Sequence, residues 1–352
     1  MQFCDSHSTF SFVQDKSLLR VKRYDDIVVV DKQVGKAEEI MSENHTAKFE
    51  FVLLGLSHRS DFQGLLFILF LLIYLFILMG NMLAFVVTLS NRSLQTPMYF
   101  FLRHLSFLDI CCTTVTLPQL LVHLMSERKK ISFLGCAMQM FSYVFLGSAV
   151  CYLLAIMAYD RYLAICHPLC YMRLMTRRSC LLLVSGCWVI GLSISLMQTL
   201  LIFSLPFCGT IINHFFCDIL ALLKLHCPSP YINDVERILT IFLVLVTPFA
   251  FILVSYILII GAILKIPALH GRQKALGTCS SHLLSVVVFY GTAMFTYLRP
   301  SSSFSPPTDK LISLTYTVVP SMLNPVIYSL RNKQVKAALK SMLAKSRSSV
   351  GT

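Results

Sequence analysis

An all-α membrane protein, a bundle of seven transmembrane helices, is the fold class this sequence predicts, and three observations predict it. The 352-residue chain is 56% hydrophobic and only 13% charged, where an average soluble domain is about 25% charged; its mean hydropathy is +0.71. So much apolar surface cannot be hidden inside a water-soluble globule of this size, so lipid is its solvent. A helix crossing the hydrocarbon core needs about 20 mostly apolar residues, and seven stretches of the chain meet that requirement. Basic residues, finally, are distributed unevenly among the segments between those stretches. Composition alone excludes a soluble enzyme, a disordered regulator and a small disulfide scaffold.

Residues 1–40 stand apart from the rest. They are mixed in charge and largely polar, and their longest apolar run, Ile27–Val30, is too short for the core of a signal peptide. They are either a disordered extension or are not translated, with initiation at Met41 the favoured reading. Residues 41–64 then form an extracellular N-terminus with a glycosylation acceptor, Asn44-His45-Thr46. The main body, 65–330, holds the stretches Leu65–Leu89, Met98–Leu121, Met138–Ile165, Cys180–Phe203, Ile238–Leu264, Leu276–Leu298 and Leu311–Leu330. Gly80-Asn81, Asp109, Ser148 and Asn324 interrupt them, so these helices are expected to pack on one another, where neighbours satisfy polar groups. Residues 331–352 form a cytoplasmic tail.

With the N-terminus outside, the inner segments carry fifteen basic residues, from Arg92 to Arg347, against one acid, Asp160; the outer loops carry seven basic and five acidic residues. Positive charge accumulates on the cytoplasmic side, which places the N-terminus outside. The net charge of +13 is therefore a topology signal and not a nucleic-acid footprint. Asn91-Arg92-Ser93 also matches the glycosylation pattern but falls in a cytoplasmic turn.

Cys136, at the outer end of the third stretch, and Cys208, Cys217 and Cys227, in the long loop between the fourth and fifth, lie on the oxidising side, where disulfides persist. Four cysteines allow more than one pairing, and spacing does not choose among them. The neighbouring His214 and His226 raise a Cys/His metal site of the softness zinc or copper prefers. The plainer reading, bonded cysteines and ordinary loop histidines, is preferred, and no metal or cofactor is expected. Cys111, Cys112, Cys151, Cys187 and Cys279 read as small apolar fillers within helices.

Four motifs sharpen the picture. The second stretch opens Pro97-Met98-Tyr99-Phe100-Phe101-Leu102 and continues Leu105-Ser106-Phe107-Leu108-Asp109. The third ends Met157-Ala158-Tyr159-Asp160-Arg161-Tyr162-Leu163-Ala164-Ile165-Cys166-His167-Pro168-Leu169. The sixth begins Lys274-Ala275-Leu276-Gly277-Thr278-Cys279-Ser280-Ser281-His282, and the seventh ends Pro320-Ser321-Met322-Leu323-Asn324-Pro325-Val326-Ile327-Tyr328-Ser329-Leu330-Arg331-Asn332. In this order, over about residues 41–343, the set resembles the olfactory receptors, within the rhodopsin-like G-protein-coupled receptors.

That resemblance implies a receptor that binds a small, weakly polar odorant in the outer half of the bundle and activates the olfactory stimulatory G protein inside, raising cyclic AMP. It implies a plasma-membrane location in the cilia of olfactory sensory neurons, with a trafficking chaperone as a further partner. It implies the disulfides Cys136–Cys217 and Cys208–Cys227, and a short amphipathic eighth helix after Asn332, whose Lys333, Lys336 and Lys340 suit anionic headgroups. The family's cavity falls at Tyr143, Val144, Gly147, Ser148 and Cys151, which helical spacing puts on one face of the third helix. Thr240, Ile241 and Val244 of the fifth and Tyr290, Ala293, Met294 and Tyr297 of the sixth are expected to face it. Such a cavity is apolar with a few hydroxyls.

The same motifs carry a switch. Arg161 is expected to be held by Asp160 at rest and released toward the G protein, with Tyr162 beside it, as the sixth helix moves outward, a two-state element biased by ligand. Asn324-Pro325 through Tyr328 places a helix breaker beside an amide donor, which suits a hinge. Asp109 is the one acid well inside the hydrocarbon, where ionisable residues are costly; it is expected to join Asn81 and Asn324 in a polar cluster across helices. Two departures from the family stand out. Val150 replaces a common Glu, which argues against a two-carboxylate sodium site, and Cys170 follows His-Pro-Leu where a basic residue is common.

Tyr143 stands where amine receptors carry an acid, so a charged amine ligand is not expected, and the absence of lysine from the seventh stretch excludes a retinal Schiff base. The competing readings are a transporter, for which no internal repeat is present; a membrane enzyme, for which no catalytic set is present; and a receptor of the same fold that senses a metabolite outside the nose.

Overall fold

The computed structural model describes residues 50–56, 62–126, 129–227, 230–297, 306–330 and 335–340. Among them, seven helices are long and apolar enough to cross a membrane. α1 spans Gln63–Ser90, α2 Pro97–Met125, α3 Phe133–Cys166 and α4 Arg177–Phe203. α5 is composite: Pro230–Thr240, a π-helical stretch Ile241–Val246, then Thr247–Leu264. α6 spans Leu269–Tyr297 and α7 Pro306–Leu330. Each coincides with one apolar stretch, but α5 already begins at Pro230 and α6 at Leu269. Helical hydrogen bonding continues into the polar interface, where hydropathy no longer marks it.

Side-chain volume and small residues set the packing. In its most apolar window 61% of α3 is buried, against 17% of α1, so α3 is the central helix and α1 lies at the rim. α3 packs on α2, α4 and α5 and touches α6; α1 lies against α2 and α7. Leu65, Leu72 and Met79 of α1 stay exposed, an apolar face that only acyl chains can cover. Two glycines permit close approach, as small residues do between membrane helices. A Cβ at Gly191 of α4 would stand 2.9 Å from the Phe145 carbonyl oxygen of α3, and one at Gly80 of α1 would stand 3.0 Å from the Pro325 ring of α7.

The π-helical stretch in α5 has a chemical cause. Pro248 has no N–H and its ring crowds the carbonyl one turn back, so the preceding turn widens into i→i+5 geometry. The Leu243 carbonyl there accepts the Tyr152 hydroxyl of α3 at 3.0 Å.

An all-α reading omits a small sheet. The strand β1 (Glu50–Leu53) pairs antiparallel with β2 (Lys130–Ser132), with Phe51 opposite Ile131, and parallel with β3 (Ile211–Ile212), with Val52 opposite Ile211. Two to four residues per strand are too few to show alternation in sequence. Residues 335–340 are helical, with Val335 and Ala338 packed on the helical core and Lys336 and Lys340 exposed. They fall within the expected eighth helix. Asn332, Lys333, Asn44 and residues 1–40 lie outside the described residues.

Candidate functional site

A cavity of about 90 Å3 lies among α2, α3, α5, α6, α7 and the loop that follows α4. Tyr143, Val144, Gly147, Ser148 and Cys151 supply the α3 wall, and Thr240, Ile241, Val244 and Leu245 supply the α5 wall at the π-helical stretch. α6 contributes Phe289, Ala293 and Tyr297, which recur every four residues on one helical face. α7 contributes Tyr316, Thr317, Pro320 and Ser321.

The loop after α4 closes one end. Disulfide Cys136–Cys217 ties it to the first turn of α3, and Cys208–Cys227 closes it on itself. Gln139 accepts from the Cys217 backbone N–H at 3.0 Å and donates to the Val115 carbonyl at 3.0 Å, joining loop, α3 and α2. Phe215 and Phe216 are fully buried, and Phe216 packs on Tyr143 with ring centres 5.0 Å apart. Asp218 caps the short helix Ile219–Leu223, accepting from Leu220 N–H at 3.2 Å. Its other oxygen accepts from the Tyr316 hydroxyl at 3.1 Å, so Tyr297, 3.3 Å from Tyr316, is the next donor in the chain. Burial pushes the Asp218 carboxyl up to about 6 against these hydrogen bonds. Burial pushes the His214 imidazole down to about 3, with Lys310 and Lys224 adding repulsion.

At the far side of the cavity, Asp109 of α2 accepts from Asn324 Nδ2 at 2.8 Å and from Ser321 Oγ at 2.9 Å. Asn81 reaches the cluster through the Ser321 backbone carbonyl, to which it donates at 3.0 Å.

At the end of the bundle opposite the disulfides, Arg161 forms an ion pair with Asp160, Nε to Oδ2 at 3.0 Å, and both are buried. The second Asp160 oxygen accepts from the Tyr171 hydroxyl at 2.8 Å, from the short helix Pro168–Leu174. Burial, then the neighbouring carboxylate, pushes the Tyr171 phenol above its usual range, so it stays protonated and donates. Tyr256 of α5 bonds His282 of α6 at 2.8 Å, and His282 Nε2 lies 3.1 Å from the Leu154 carbonyl of α3. Since the carbonyl only accepts, His282 carries its proton on Nε2 and takes the Tyr256 hydroxyl on Nδ1. This bridge joins three helices, about two turns of α3 from Arg161.

Comparison with known proteins decides what this geometry belongs to. The sequence profile described as olfactory receptor matches residues 70–346. Human olfactory receptor 10C1 is 52% identical over 306 residues, covering 87% of this chain and 98% of its own length. Human olfactory receptor 10A7 is 49% identical, covering 86% and 96%, and mouse olfactory receptor 5AP2 is 48% identical, covering 88% and 98%. The chain belongs to the olfactory receptor family. It is a multi-pass plasma-membrane odorant receptor of the G-protein-coupled class and not an enzyme.

Within this olfactory receptor, ten of the twelve cavity residues read from sequence line the cavity: all but Tyr290 and Met294. Those two stand one position round the helix from Phe289 and Ala293, a turn of about 100°. Tyr290 instead donates to the Cys151 carbonyl at 3.3 Å and packs on Phe249, and Met294 packs against the helical core. Asn81 does not touch Asp109 directly; Ser321, given no role in sequence, stands between them. Tyr162 bonds His167 Nε2 at 3.0 Å and takes no part in the ion pair. Tyr328 is buried in the core, and α7 continues through Pro320 and Pro325 as one helix.

Lys310 falls inside α7 after all, near its start, because the helix begins before the apolar stretch does; it does not line the cavity. The four loop cysteines are all in disulfides, and among the described residues no three His, Cys, Asp or Glu side chains converge on a metal position. Cys112, read only as a filler, lines the cavity. Tyr316, Thr317, Pro320 and Ser321 are legible in hindsight: positions i, i+1, i+4 and i+5 make one helical face carrying three hydroxyls. Asp218, Tyr256 and His282 had no such pattern.

Proposed function

We propose that this receptor takes a small, weakly polar organic molecule between α3, α5, α6 and α7. Binding there shifts the population of the opposite end toward a state in which Arg161 leaves Asp160 and meets the olfactory stimulatory G protein, raising cyclic AMP. The observation that carries this reading is an apolar cavity closed by a disulfide-bonded loop at one end of the bundle, with a buried Asp160–Arg161 pair at the other. A ligand moves such an equilibrium only by binding one state better than the other. The α3–α5–α6 bridge through His282 is an element that must break when α6 moves outward.

The disulfide end is extracellular and the Arg161 end cytoplasmic, on the distribution of basic residues. Translation begins at Met41, Asn44 carries glycan, and the helix at residues 335–340 lies along the inner membrane surface. The protein resides in the ciliary membrane of olfactory sensory neurons and reaches it with a trafficking chaperone. The test is cyclic-AMP output from cells carrying this chain and the stimulatory G protein against a chemically broad odorant panel, with surface staining. A ligand-dependent rise that disappears in Arg161→Ala at equal surface level, and a dose response shifted right in the cavity-filling Ala293→Leu, are the expected results. A response unaltered in both variants would overturn the reading.

A further inference from the structure

The α3 position where amine receptors carry an acid is Tyr143, yet the cavity wall holds a carboxylate from another element. Asp218 follows Cys217 directly, so the Cys136–Cys217 disulfide fixes its backbone over the cavity, and it is only 3% exposed. Tyr316 occupies an acceptor position on one oxygen and the Leu220 N–H one on the other, and the Ile219 N–H supplies a third hydrogen bond. A carboxylate offers about four such positions, which leaves roughly one. Among the described residues no cationic side chain comes within ion-pair distance of it, and Lys224 acts on it from farther away. Burying a carboxylate without a contacting cation or a full set of donors is unfavourable, and the nearby side chains of Val144, Ile219 and Ala293 offer no further donor. A second polar group waits in the same space: Ser148 Oγ lines the cavity, is buried and has no hydrogen-bond partner.

We infer that Asp218 is the acceptor by which this cavity reads its ligand, selecting small molecules that carry a hydrogen-bond donor, an alcohol or a protonated amine, over methyl-capped and carboxylate counterparts. This rests on the cavity being the ligand site. An ether of the same shape leaves that Asp218 position unanswered, and a ligand carboxylate meets a like charge in a low-dielectric space. Ser148 provides a hydroxyl for the rest of the ligand. A hydrogen bond to a charged group corresponds to about tenfold or more in affinity.

The experiment uses the purified full-length receptor and reads affinity from thermal unfolding titrations with benzyl alcohol, benzylamine, toluene, benzyl methyl ether and benzoate. The alcohol and the amine are expected to bind about tenfold or more tighter than toluene and the ether, with benzoate weakest. In Asp218→Asn the amine should lose its advantage and the alcohol keep part of its own, which separates ionic from neutral recognition. Tyr316→Phe frees an Asp218 oxygen without removing the carboxylate, and should widen the donor preference; it decides the matter if Asp218→Asn does not fold. Equal affinities across the series, an amine preference unchanged in Asp218→Asn, or no widening in Tyr316→Phe would overturn the inference and leave the cavity reading intact. Binding by none of the five up to millimolar concentration would overturn both.

Discussion

At the disulfide end of the bundle, two covalent bonds, the Gln139 bridge and the buried Phe215 and Phe216 hold a loop rigidly over the cavity. At the opposite end, Asp160, Arg161, Tyr171, Tyr256 and His282 hold three helices and a short loop helix by hydrogen bonds and one ion pair. The contrast follows from what each end must do. A pocket selects ligands only if its walls keep their shape, which covalent links secure. A switch has to open for a few kcal/mol of differential binding, which limits its fastenings to groups that can be exchanged for water or a partner.

The comparison breaks most visibly at the disulfides. Cys136→Ser removes a link across 81 residues, for which chain entropy gives an upper bound of about 4.5 kcal/mol; surface expression should collapse, with ligand response lost along with it. Cys208→Ser opens a loop of only 19 residues, bounded at about 3 kcal/mol, so surface staining should fall less and a weakened response survive. Equal losses in the two variants would show that loop length is not what matters.

Acidification sharpens the picture within the loop, because two of its buried titratable groups, His214 and Asp218, have opposite signs. His214 has its folded pKa lowered to about 3, so the unfolded state takes up the proton first and stability falls as pH drops below about 6.5. Asp218 has its folded pKa raised to about 6, so the folded state takes up the proton first and stability rises as pH falls from about 6 toward about 4. From pH 7 to 5 these amount to about 2 kcal/mol lost and about 1 kcal/mol gained. Thermal unfolding of the purified receptor should therefore show a modest acid loss in the native chain and an acid gain in His214→Phe. A variant that still loses stability on acidification would place the acid sensitivity elsewhere.

The smallest change is expected at the hydrogen-bonded end. Tyr171→Phe deletes one bond to Asp160, about 1 kcal/mol, and should raise ligand-free cyclic AMP by up to about fivefold at unchanged surface level. An unchanged baseline would mean that Arg161 alone holds Asp160.

Much of this was legible in the chain. The spans showed because apolar length is a local property of sequence, and the α3 face of the cavity because helical spacing is regular enough to project. Tyr290 and Met294 were misplaced because α6 carries apolar residues around much of its circumference, so periodicity does not fix its rotation to within one residue. Packing of Tyr290 on Phe249 of α5 does.

Seven apolar helices, the basic asymmetry between their ends and the family motifs were determined by sequence alone, since each depends on residue type and on neighbours a few positions away. The tertiary structure alone decided that Pro248 would widen α5 beside the cavity, that Ser321 would stand between Asn81 and Asp109, and that Asp218 would meet Tyr316. Asp218 and Tyr316 lie 98 residues apart. A carboxylate that far along the chain from its partner leaves no local trace; only the disulfide that fixes the loop over the helix ends brings the two within hydrogen-bonding distance.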